Sequence, residues 1–116
     1  DLYEFVRMDF DSLGVERVMV VFVDSKNKVL KKEFISEGSI NFSFFDSREI
    51  LKKTFLFDAS GFFLVHNHPS GDCNPSNEDL RQTQKIKRVC DDLNIRVLDH
   101  IIVGNGYYSM FDNDDL

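Results

Sequence analysis

The chain has 116 residues, enough for one hydrophobic core, and an ordinary globular make-up of 42% hydrophobic and 29% charged residues. A formal charge of −6 argues against nucleic-acid binding by this domain, because phosphate neutralisation needs clustered Lys and Arg. No apolar run approaches the roughly 20 residues of a membrane span, and no signal peptide is visible.

Leu2, Phe5, Val6, Met8, Phe10 and Leu13 recur at helical spacing until Gly14 stops the pattern, which predicts an opening helix. Val18 to Val23 is a nearly continuous β-branched and aromatic run and reads as a strand covered on both faces. Asp24 to Lys28 is turn chemistry, and Val29 to Ser36 returns as a second strand, so the two form a hairpin. Lys26, Lys28, Lys31 and Lys32 cluster here and read as a solvated turn rather than a phosphate-binding patch. Ile40 to Phe45 is apolar without a clear period, either irregular or a short strand; its phenylalanines suit core packing or a homodimer contact equally.

Asp46 or Ser47 can cap a helix whose apolar positions are Ile50, Leu51, Thr54, Phe55 and Phe57, ending near Ala59-Ser60-Gly61. Phe62 to Val65 is a short buried strand that runs into His66. Pro69, Gly71 and Pro75 impose a loop. Ser76 and Asp79 stand at capping-box spacing and open a helix from about Asn77 to Leu93, with Ile86, Val89, Cys90 and Leu93 as its apolar stripe. Ile95 to Val103 is a long strand, and Gly104-Asn105-Gly106 turns it into a closing strand from Tyr107 to Phe111. The order α, β, β, α, β, α, β, β implies a single α/β domain, a mixed sheet flanked by three helices.

The two cysteines, Cys73 and Cys90, do not make a disulfide framework, which fits a reducing cytoplasm. A chain that begins at Asp1 reads as part of a longer protein, of which this would be the C-terminal domain.

The chemistry concentrates in His66 to Asp79, HNHPSGDCNPSNED. On an extended strand, residues i and i+2 share a face, so His66 and His68 point together and Asn67 points away. Pro69 ends the strand and leaves both imidazoles at its C-terminal tip. Asp79 lies seven residues before Ile86 and so projects onto the apolar stripe of its helix. An ionised carboxylate there costs several kcal/mol unless something compensates it. A cation at the strand tip is one compensation; a capping role or a histidine partner is the other. Two imidazoles and a carboxylate are usual metal-ligand types.

His66-x-His68 followed by Ser76 and Asp79 resembles the JAMM motif of the JAB/MPN metalloprotease superfamily. More closely, His66-Asn67-His68-Pro69-Ser70-Gly71-Asp72, Pro75-Ser76, Arg48-Glu49 and Leu98-Asp99-His100-Ile101-Ile102-Val103-Gly104 are similar to the RadC family, a resemblance running from Glu16 to Leu116. The resemblance implies a cytidine-deaminase-like JAB/MPN fold and one zinc ion held by His66, His68 and Asp79, with water in the fourth position. It implies an upstream glutamate that handles that water's proton. Glu16 is preferred to Glu49, because superfamily members carry this acid near the first strand. Ser76 would donate to a developing oxyanion. Asn67 stands where deubiquitinating members have Ser or Thr, which counts against a ubiquitin-type substrate.

Three functions follow as expectations: a zinc hydrolase acting on an amide, peptide or isopeptide bond of a protein or peptide; a nuclease or DNA-repair accessory factor; or a metal-stabilised interaction module without turnover. Three consecutive residues His66-Asn67-His68 are not the signature of HNH nucleases, whose letters are spread over a ββα unit. The His-x-Glu and Pro-Cys-x-x-Cys pair of zinc deaminases is absent. Cys73 reads as a loop residue. Asp99 and His100 point to opposite faces of a strand, so they cannot both join the site; they read as structural or as support for a ligand.

Overall fold

A computed structural model describes residues 1–35 and 45–116 of the chain. The elements are α1 (Leu2–Val6), β1 (Val18–Val23), β2 (Val29–Ile35), α2 (Ser47–Leu56), β3 (Gly61–Asn67), α3 (Asn77–Asp92), β4 (Arg96–Gly104) and β5 (Gly106–Ser109). The strands form one sheet in the order β2-β1-β3-β4-β5. β3 and β4 run parallel, joined by α3 as the crossover such a pair needs, and the other neighbours are antiparallel. The expected mixed sheet with three helices, an α/β architecture consistent with a JAB/MPN fold, is the one observed.

All six residues of β1 are buried, because the strand has neighbours on both edges and cover on both faces. Val18, Val20 and Phe22 face one way with Phe62 and Leu64, under Ile50 of α2 and Ile86 and Cys90 of α3. Met19 and Val21 face the other way with Val65, Ile101 and Val103, under Val6 and Phe10. The strand's two-residue period thus divides one apolar run between two cores. Phe62 has no exposed surface and meets Phe22 edge-on, ring centres 6.4 Å apart. Phe62→Ala is expected to cost about 3–5 kcal/mol, the usual range for a buried aromatic. Urea unfolding should show this as a lower midpoint at unchanged slope.

The structure departs from the sequence expectations in several places. The opening helix is short, and Arg7–Phe10 tightens into a 3₁₀ turn. Val6 and Phe10 are buried while Phe5 and Met8 are 46% and 74% exposed, so the apolar stripe is too narrow to hold a three-turn helix. Of the two expected caps for α2, Asp46 is the one used, its Oδ1 accepting from the Arg48 and Glu49 N–H groups at 3.0 and 3.3 Å. Ile50 and Thr54 take the buried face of α2 and leave Phe55 62% exposed. On α3 the buried row is Asp79, Thr83, Ile86 and Cys90, whereas Val89 and Leu93 are exposed. Those four follow the i, i+4, i+7, i+11 line of a helix face, so two polar side chains share the stripe with the core. The expectations for residues 36–44 lie outside the described residues; Phe45, just beyond them, is buried.

The lysine group is divided. Lys32 pairs with Asp9 at 2.8 Å and lies over the Phe5 ring, Lys31 lies over Phe57, and Lys26 and Lys28 sit in a turn whose N–H groups bond to Asp24. Among the described residues no helix is long and apolar enough to cross a membrane.

Candidate metal centre

Three elements deliver the cluster. β3 carries His66 as its second-last residue, on the α2 and α3 face that Leu64 also occupies, and His68 follows one residue past the strand's end. Both imidazoles thus lie at the strand's C-terminal end, as Pro69 predicts, with His66 still in the ladder, paired with Val18 and Ile102, and wholly buried. The loop after it hangs on the β4–β5 turn: His68 N–H donates to Val103 O at 2.8 Å, and Asn105 N–H to Gly71 O at 2.8 Å. This approach excludes side chains. A Cβ added at Gly104 would lie 2.5 Å from Gly71 O, and Gly71 itself has φ +94°. α3 then opens with a complete capping box: Ser76 Oγ accepts from Asp79 N–H at 3.0 Å, and Asp79 Oδ2 from Ser76 N–H at 2.9 Å.

Ligand-type atoms of Glu16, His66, His68 and Asp79 converge within 4.8 Å of one another. The Nε2 atoms of His66 and His68 are 3.1 Å apart. His68 Nε2 stands 3.2 Å from Asp79 Oδ2, and His66 Nε2 stands 3.4 Å from Asp79 Oδ1. Donors bonded tetrahedrally to zinc at 2.0–2.1 Å stand about 3.3 Å from each other, so these spacings fit a small tetrahedral cation. Glu16 Oε1 is 3.6 Å from His66 Nε2, and its side chain is 44% exposed against 4% for Asp79. Glu16 therefore closes the cluster on its solvent side.

The hydrogen-bond partners behind the imidazoles decide what faces the cluster. His68 Nδ1 meets the Asp72 carbonyl at 2.7 Å. A carbonyl only accepts, so Nδ1 carries a hydrogen, and Nε2 is the nitrogen free to bind a metal ion. Behind His66, Nδ1 meets His100 Nε2 at 2.7 Å. Complete burial, with His66 alongside, drives His100 well below the ordinary imidazole range and keeps it neutral. Burial pushes the Asp79 carboxyl up, but hydrogen bonding and charge from His66, with the Ser76 N–H and hydroxyl, outweigh it and hold the group below the usual carboxylate range. Asp79 is thus ionised at neutral pH inside a nearly closed site.

Asn67 has a part that the sequence reading missed. It points away from the histidines, as strand parity requires, and its amide brackets Glu16: Oδ1 accepts from Arg17 N–H at 2.7 Å and Nδ2 donates to Val15 O at 3.1 Å. An Asn side chain has one acceptor and one donor group, which match the two backbone groups flanking a single residue. Thr83 was also missed, although it lies one helical turn beyond Asp79 on the same stripe. His100 takes the supporting place anticipated for it. Asp99 is a structural clasp, accepting from Ser109 Oγ at 2.6 Å and from Phe111 N–H at 2.9 Å.

Glu49 is on α2, paired with Lys53 at 3.0 Å, and is not among the four converging residues. Ser76 is exposed and serves the cap through its oxygen, an arrangement that leaves the hydroxyl hydrogen available. Cys73 packs toward Gly104, and burial raises its thiol pKa; it too is outside the cluster.

A family model described as the RadC-like JAB domain matches residues 1–115. The chain belongs to this family. Relatives of this RadC-like chain include a UPF0758 protein of Actinobacillus pleuropneumoniae, 41% identical over 106 residues, covering 91% of this chain and 48% of the relative. A UPF0758 protein of Methanosarcina acetivorans is 43% identical over 108 residues, covering 93% of this chain and 47% of its own length. One of Haemophilus ducreyi is 39% identical over 113 residues, 97% of this chain and 50% of the relative. The RadC-like domain therefore spans about half the length of the curated relatives it matches.

Proposed function

We propose that the domain is a zinc-dependent hydrolase that cleaves an amide bond, peptide or isopeptide, in a protein or peptide substrate, acting in the cytoplasm as the C-terminal part of a longer chain. The observation that carries this reading is electrostatic. Two imidazole nitrogens and two carboxylates meet within 4.8 Å. Ligand atoms so close need positive charge among them, carried by imidazole protons in the metal-free chain or by a metal ion in their place.

The residues fit zinc by type, number and spacing. His66, His68 and Asp79 would hold it, three protein ligands being the catalytic pattern that leaves a position open to solvent. Bound zinc supplies Lewis acidity, lowering the pKa of a water molecule toward about 7. Glu16, held by Asn67 at the exposed side of the cluster, accepts the proton of the attacking water and returns it to the leaving amine. Ser76, at the start of α3, donates its hydroxyl hydrogen to the developing oxyanion. The α3 N-terminus adds its positive dipole end to the same place.

The test is hydrolysis of a quenched-fluorescence peptide library by protein purified without added metal, together with elemental analysis. About one zinc per chain, activity abolished by a chelator and restored by zinc, is the expected result. Protein that carries no transition metal and takes up none would overturn the reading. Metal-dependent cleavage of DNA without peptide hydrolysis would transfer the site to the nuclease alternative.

A further inference from the structure

Behind the cluster, a chain of side chains with one consistent hydrogen order for neutral rings runs from one metal-ligand residue to another. Thr83 Oγ1 lies 2.7 Å from the Asp79 carbonyl, four residues back on α3. That carbonyl can only accept, so the single hydroxyl hydrogen is committed to it. Thr83 Oγ1 is also 2.6 Å from His100 Nδ1, and toward this partner the hydroxyl oxygen can then only accept. His100 Nδ1 must therefore carry a hydrogen, and because complete burial disfavours a charged ring, Nε2 is then an acceptor. His100 Nε2 is 2.7 Å from His66 Nδ1, which must donate to it. In the neutral ring the lone pair of His66 is then left on Nε2, the atom facing His68, Asp79 and Glu16.

The geometry points to Thr83 and His100 as positioning residues that lock His66 in its metal-binding tautomer and fix the plane of its ring. This rests on the reading of the cluster as a metal centre. Thr83 and His100 are both fully buried, with ring and hydroxyl held between β4 and α3, so the order is not open to exchange with solvent. Reversing it would require the Thr83 hydrogen to leave the Asp79 carbonyl, and would turn an N–H of His66 into the cluster against whatever cation it holds. The outward nitrogen of a metal-binding histidine commonly has such a partner, and losing the partner costs metal affinity about 10–100-fold. Here the partner is a second histidine, whose own tautomer is decided by a threonine one turn beyond a ligand.

Thr83→Val keeps the shape and removes the hydroxyl, while Thr83→Ser keeps the hydroxyl. Cobalt(II) titration followed by visible absorbance, with zinc competition, measures affinity. Long-range proton–nitrogen spectra of the histidine rings in metal-free protein read the tautomer directly. Thr83→Val should weaken cobalt binding by about 10–100-fold and shift His66 away from a pure Nδ1–H form. Thr83→Ser should retain wild-type affinity and tautomer. Equal affinity and an unchanged His66 tautomer in the valine variant would overturn the proposal while leaving the metal centre intact. Failure of the wild-type chain to bind cobalt or zinc would instead overturn the metal reading, and this proposal with it.

Discussion

Glu16→Gln is expected to lower hydrolysis by about 10²–10⁴-fold while the chain keeps its zinc, the usual size of a general base's contribution. Glutamine has the same shape and leaves the backbone of Val15 and Arg17 free to bond to Asn67, so the side chain should stay at the cluster's rim. Its amide cannot accept a proton. The exposure of Glu16, 44% against 4% for Asp79, is what separates the two carboxylates: one reaches solvent and can exchange protons, the other is enclosed. Turnover on a fluorogenic peptide and zinc by atomic emission give the two readouts. Loss of metal together with activity would make Glu16 a ligand. Unchanged turnover would move the proton transfer to another group, with Glu49 the earlier competitor, although its ion pair with Lys53 places it outside the cluster.

The second large effect is expected at Asp79, where one carboxylate does two things. It caps α3 by accepting from Ser76 N–H, and it contributes an oxygen to the cluster. Asp79→Asn keeps an oxygen for the cap but removes the charge. Zinc affinity should fall by more than the 10–100-fold typical of losing an outer partner. Asp79→Ala should lose the zinc equally and, lacking the bond from Ser76 N–H that completes the capping box, leave the metal-free chain about 1 kcal/mol less stable than Asp79→Asn does. Thermal unfolding with and without zinc distinguishes them. Wild-type protein is expected to gain about 4 kcal/mol when free zinc is a thousandfold above its dissociation constant, and neither variant should gain it. An Asp79→Asn protein that zinc still stabilises to the wild-type extent would remove Asp79 from the ligand set.

Much of the candidate site could be read from short-range pattern. Strand parity places His66 and His68 on one side, and the Ser76–Asp79 spacing marks a capping box that is present in full. The helical period turns Asp79 inward, onto a buried row with Ile86 and Cys90. These hold because parity, capping and helical period are properties of a few neighbouring residues. The same local reasoning failed where burial depended on what lay opposite: Phe55, Val89 and Leu93 have apolar character and helical spacing, yet the sheet beneath them is already covered and they stay exposed. The opening helix was overextended for the same reason.

By itself, then, the sequence determined the α/β order, the JAB-type motif, the two histidines on one face and the inward carboxylate. Only the tertiary structure decided which acid completes the cluster and which nitrogens face it. Glu16 reaches His66 because β1 pairs with β3 in the register Val18 to His66, and because Asn67 bonds to the backbone on either side of Glu16 across a separation of 50 residues. His66 presents Nε2 because Thr83, on α3, and His100, on β4, stand behind it. Neither arrangement leaves a trace in local periodicity, since hydrogen-bond direction is set by what the folded chain brings opposite each group.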